Sequence, residues 1–230
     1  MAPNSEQQYD YRTYGQQKKL ISDEAYNLII GGTLLYGFLV NCFMVAFCFD
    51  SIANLISEPA MFYVTYFAMV IIGTLMVNKS DNPVVSFIGY NFIVVPIGMV
   101  ISYTVNIFAM AGYASTVTAA FGVTAVVTLA MMFISSIFPS FFLSLGRTLG
   151  VTLLLTVVIE LIMYFAGFSL GIIDYVVVLI FCGYVGYDWS KANANLKTVD
   201  NAIDSAAELY VDIANLFIRI LRIMARAQRN

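Results

Sequence analysis

The chain has 230 residues, of which 60% are hydrophobic and 11% charged, and its mean hydropathy is +0.84. A soluble domain carries roughly a quarter charged residues, so the composition excludes an ordinary globular domain and describes an all-α, polytopic membrane protein. A net charge of −3 without a basic block gives no footprint for nucleic acid, and the absence of histidine removes imidazole-ligated haem, histidine metal sites and every imidazole base. Cys42, Cys48 and Cys182 lie in apolar runs without a CxxC, which argues against a disulfide framework or a zinc site.

Residues 1–24 read as a polar N-terminal tail, followed by an apolar run too long for a signal-peptide core. Crossing a bilayer takes roughly 20 apolar residues. On that criterion the membrane part, 25–226, holds seven spans and leaves 227–230 as a short tail. The first span covers about 25–49. A short linker precedes Pro59, which suits the first turn of the second span at about 59–77. The third, about 84–109, contains Pro96 and should kink there. A small-residue turn leads to the fourth at about 115–136, and the fifth and sixth cover about 146–166 and 170–188. The segment WSKANANLKTVDNAID reads as a polar turn, and the seventh span, about 205–225, is the least apolar.

Cationic residues concentrate on the cytoplasmic side of membrane proteins. Arg12, Lys18, Lys19, Lys79, Arg147, Lys191 and Lys197 all fall on one side if every segment spans, and the three opposite loops carry no lysine or arginine. This places the N-terminus in the cytoplasm. Arg219, Arg222, Arg226 and Arg229 run against the bias, so sequence leaves open whether the last segment crosses or re-enters, although about 21 helical residues reach roughly 31 Å.

Asp212, Asn215, Arg219, Arg222 and Arg226 recur at spacings of three and four, which puts them in one stripe of the last helix. A polar stripe in a membrane helix faces the bundle interior or a wet cavity, so this helix is expected at the centre of the bundle. Arg226 and Arg229 read as interfacial, snorkelling outward, and Asp174 as an interfacial acid. Asp188 ends the sixth span, and a hairpin turn over 189–204 can bring it to Asp212. Two carboxylates in a poorly solvated place cannot both ionise easily and titrate as a unit. Such a pair suits a hard-cation site built on oxygen ligands, a proton sensor, or the acid and base of a hydrolase. Glu160, in the middle of the fifth span, is a candidate for the same path, together with Asn215 and Arg219. Asn91 and Asn106 read as interhelical hydrogen-bonding residues.

The segment LYVDIANLFIRILR, with Leu209, Tyr210, Asp212, Asn215, Leu216, Phe217, Leu221 and Arg222, resembles the last-helix hallmark LYLDFINLF…LLR of the Bax inhibitor family, also called the transmembrane Bax inhibitor motif family. Tyr187-Asp188, the 24-residue interval between the aspartates, and Ala120, Phe121, Gly122 and Thr124 at the fourth span agree with it. The resemblance implies a seven-helix bundle with the last helix central, and a calcium leak regulated by pH in which Asp188 and Asp212 share a proton. Calcium is then the transported ion, held by Asp188 and Asp212, and no cofactor is implied. It further implies an arginine latch near the cytoplasmic end of the second helix. This chain departs there: Val77, Asn78 and Lys79 occupy the place, leaving Asn78 and Lys79 as the latch candidates, with lysine a point charge rather than a bidentate fork. Ala119 also stands where some members carry a glutamate.

The rival readings are a non-transporting membrane scaffold and an intramembrane aspartyl protease. The protease pattern needs GxGD and Pro-Ala-Leu; here Leu-Tyr-Val precedes the second aspartate and no PAL occurs. The expectation is therefore a non-enzymatic protein of the lipid bilayer, and compactness and the short tail favour a bacterial plasma membrane.

Overall fold

The computed structural model describes residues 19–167 and 171–228. Residues 1–18 of the expected N-terminal tail and 229–230 of the expected C-terminal tail, and with them Arg12, Lys18 and Arg229, lie outside the described residues.

Seven long helices form: α1 (Asp23–Phe47), α2 (Pro59–Lys79), α3 (Pro83–Phe108), α4 (Ala114–Ile137), α5 (Pro139–Phe165), α6 (Ile172–Ala194) and α7 (Val199–Ala227), with a short helix Phe49–Ile56 between α1 and α2. Local chemistry sets their starts. Ser22 accepts from the Ala25 amide at α1, Asn82 from Val84 at α3 and Thr198 from Asn201 at α7. Pro59 and Pro83 stand at the first turns of α2 and α3, where a missing N–H costs nothing.

Among the described residues, five stretches are long and apolar enough to cross a membrane: Asp23–Phe47, Pro59–Lys79, Pro83–Ile137, Pro139–Met163 and Ile172–Ala194. The 55-residue stretch would be about 80 Å if straight. It is broken at Gly112, whose φ of 91° favours glycine, and both of its halves, α3 and α4, pack on α7. Large apolar side chains such as Leu28, Leu39, Val126, Leu154 and Leu179 point outward, as lipid contact requires and an aqueous surface would not tolerate at this density.

α7 is not one of the five apolar stretches, yet it is the most buried helix. It packs on α1, α3, α4 and α6 and more lightly on α2. Ala202, Ala206, Ala207, Ala214 and Ala225 are buried along it, and small residues let neighbouring backbones approach closely. Its start shares a bundle end with α1 and α3: the Ile21 amide donates to the Lys197 carbonyl, and Ser86 donates to Asp200. Its other end meets the beginnings of α4 and α6, through Thr116 with Gln228 and Asp174 with Arg226. α7 therefore runs the full length of the bundle, antiparallel to α6.

Two sequence expectations change. The polar turn shrinks from 189–204 to 195–198, and α7 begins at Val199 rather than at about 205. The polar residues of that segment are helical because other helices receive them: Asp200 takes the Ser86 hydroxyl (2.7 Å), and the Ser205 and Tyr26 hydroxyls lie 3.0 Å apart. α5 likewise begins at Pro139, not 146. Pro96 lies inside α3, which is helical on both sides of it. Asn91 and Asn106 do bridge helices, Asn91 accepting from Tyr36 and Asn106 donating to the Val45 carbonyl.

α2 and α3 meet through two glycines. A Cβ on Gly73 would lie 2.6 Å from the Gly89 carbonyl oxygen, a backbone atom that cannot step aside. Gly73→Val is therefore expected to destabilise the bundle by about 1–3 kcal/mol, read as a lowered thermal midpoint in detergent. An unchanged midpoint would show that α2 can lift off α3 freely.

Candidate functional site

The apolar surroundings of α7 leave one polar strip, and that strip borders a cavity of about 610 Å3. α2, α5, α6 and α7 enclose it. α5 packs on α6 and stands off α7, which creates the space. Asn78, Glu160, Asp188, Asp212, Asn215 and Arg219 all line it. Lys79 does not: it is exposed.

Asp188 and Asp212 are 7% and 4% exposed, the most buried acids of this cavity. They stand on adjacent antiparallel helices, α6 and α7, and line the same cavity. Among the described residues, Asp212 Oδ2 meets no hydrogen-bond donor. A carboxylate oxygen so placed needs a proton, a cation or a moving donor to satisfy it. The described residues bring no group of three acidic or cysteine side chains together for a metal ion, so the calcium position expected at Asp188 and Asp212 would rest on two carboxylates. Asn215 donates to the Val211 carbonyl of its own helix (2.8 Å), leaving its amide oxygen at the cavity wall.

Towards the end where α6 begins, an ion-pair network closes the strip. Arg219 donates from Nη1 to Glu160 Oε1 (2.5 Å) and Asp174 Oδ1 (2.7 Å), and from Nη2 to Glu160 Oε2 (2.9 Å). Arg226 pairs with the other oxygen of Asp174. This changes one expectation. Asp174, read as an interfacial acid, is 4% exposed and held by two arginines, while Arg226 pairs with it and keeps its side chain 43% exposed. A buried carboxylate is costly unless paired, and Arg219 and Arg226, two turns apart on α7, supply the partners. The stripe was legible in sequence. Its partners were not, because they come from α5 and α6.

Tyr210 of the LYVD segment holds α7 to α1 and α3. Its hydroxyl lies 2.8 Å from Asn41 Nδ2 and 3.0 Å from Asn41 Oδ1, and donates to the Val94 carbonyl at 3.3 Å. Both residues are buried. Tyr210→Phe leaves the Asn41 amide without that partner and is expected to cost about 1–3 kcal/mol, measured as thermal stability in detergent. Asn41→Ala combined with Tyr210→Phe should cost less than the sum of the two single changes; full additivity would show that the two side chains do not act together.

Sequence reasoning overlooked a pair on the same cavity wall. Lys191 Nζ donates to Glu208 Oε1 at 2.5 Å. The signal was present: Lys191 follows Asp188 by three residues and Glu208 precedes Asp212 by four, which places each beside an aspartate on its own helix.

A bundle of long apolar helices around a buried, polar-striped last helix, with a carboxylate pair facing an internal cavity, defines a multi-pass integral membrane protein. The family described as "Inhibitor of apoptosis-promoting Bax1" matches residues 18–230, nearly the whole chain, and the chain belongs to that family. A search of curated proteins finds no match.

Proposed function

We propose that this protein is a passive cation conduit, calcium-preferring, in which Asp188 and Asp212 form a pH-sensitive gate. The observation that carries the reading is the cavity between α2, α5, α6 and α7: it holds both aspartates, and one oxygen of Asp212 has no donor among the described residues. Oxygen ligands suit a hard cation such as calcium. The same oxygens bind protons, so acidification removes negative charge from the most buried acids of the cavity. A proton taken up there also changes an acceptor into a donor, which alters how α6 and α7 meet across the cavity.

Asn78, Asn215, Glu160 and Arg219 form the rest of the path in this reading. Asn78 takes the place of the arginine latch on the cavity wall, while Lys79 contributes charge at the end of α2. The lysine and arginine distribution puts the N-terminus and the α6–α7 turn on the cytoplasmic side.

The test is calcium uptake into proteoliposomes of purified protein between about pH 5 and 8. Uptake that depends on the protein and changes across this range is the expected result. No uptake above empty liposomes at any pH would remove the conduit reading and favour a non-transporting membrane scaffold.

A further inference from the structure

We infer that Lys191 is a tethered cation that occupies the mouth of the acidic cavity, seated on Glu208, and that an entering cation must displace it. The inference deepens the conduit reading and rests on it for its physiological meaning. Its geometry stands separately.

Asp188 and Lys191 lie on one face of α6, and Glu208 and Asp212 on one face of α7. α6 and α7 are antiparallel neighbours. The Lys191–Glu208 contact at 2.5 Å therefore forms a second rung across the same two helices, one turn nearer the 195–198 turn than the aspartates. All four side chains line the same cavity. Exposure falls from one rung to the next: the Lys191 and Glu208 side chains are 38% and 29% exposed, whereas Asp188 and Asp212 are 7% and 4% exposed. The outer rung is thus the more exposed of the two, at the end of the strip nearer the 195–198 turn.

An ammonium and a hydrated metal cation compete for the same ligand, a carboxylate oxygen. Lysine is a compact point charge on a flexible stem, so it can leave Glu208 without any helix moving. A partly exposed ion pair of this kind is weak, equivalent to a factor of at most about five. Such a plug slows entry without sealing it. The other charged groups lining the cavity, Glu160 and Arg219, lie at its far end, where Arg219 is held bidentately by Glu160 and cannot take over the role.

The test measures access to Val211, which lines the cavity and lies one turn inward of Glu208. Val211→Cys is made in a chain whose Cys42, Cys48 and Cys182 are replaced by alanine. Its modification is timed with a trimethylammonium methanethiosulfonate and with neutral methyl methanethiosulfonate. Lys191→Gln is expected to speed the cationic reagent by about two- to fivefold and to leave the neutral reagent unchanged. Lys191→Arg should keep the exclusion. Glu208→Gln, which frees the ammonium from its seat, should slow the cationic reagent. Acceleration of both reagents alike by Lys191→Gln would mean that the ion pair only holds two helices together and would overturn the inference, as would no acceleration of either. Calcium uptake by Lys191→Gln is expected to rise by the same factor. If wild type and variant both pass no calcium, the conduit reading fails while the reagent rates still decide the plug.

Discussion

Arg219→Gln is expected to lower the stability of the folded protein by about 3–5 kcal/mol, the cost of removing one partner from a buried ion pair. Arg219 gives three hydrogen bonds to two carboxylates on two other helices. Glu160 is left with no cation among its described hydrogen bonds when Arg219 goes, and Asp174 keeps only Arg226. The loss should therefore be smaller for Arg226→Gln, whose side chain is 43% exposed against 18% for Arg219. Arg219→Lys keeps a charge but cannot reproduce the fork, and should fall between. Thermal unfolding in a single detergent orders the three variants. Equal midpoints for Arg219→Gln and wild type would show that the network is solvated and contributes nothing.

Asp212→Asn is expected to flatten the pH dependence of calcium uptake. The amide is neutral at every pH and stands for the protonated acid, so the variant should hold, from about pH 5 to 8, the rate that wild type reaches only at the acid end. Asp188→Asn should flatten the profile too, because the two carboxyls titrate as a coupled pair and removing either leaves a single group. Asp212→Asn should act more strongly, since Asp212 is the more buried of the two and holds the oxygen without a donor. Variants that retain the wild-type profile would sink the sensor role of the pair while leaving conduction standing.

These two predictions concern opposite parts of one helix. Along α7 the polar strip starts at a weak, partly exposed pair, passes through a buried acidic pair, and ends in a strong ion-pair network. A single cavity touches all three. Asp188 and Asp212 have the least solvent and the fewest donors of the three, and so respond most to a proton or a cation.

What could be read from the chain itself follows from local regularities. Apolar runs of bilayer length give the membrane class and the helix number, because a backbone in lipid must satisfy its own hydrogen bonds. The spacing of Asp212, Asn215 and Arg219 gives a polar face on the last helix, because helical geometry repeats every 3.6 residues. The Tyr187-Asp188 and LYVD segments single out the two aspartates. The tertiary structure decided how these charges are matched. Polar side chains made 189–204 read as a turn, yet Ser86 and Tyr26, more than a hundred residues away, receive Asp200 and Ser205 and let α7 begin at Val199. Asp174 and Arg226 read separately as interfacial residues, and the arginines of α7 are what allow Asp174 to be buried. The space between α5 and α7 that forms the cavity depends on how far one helix stands from another, a distance set by packing of all seven and written in no single stretch.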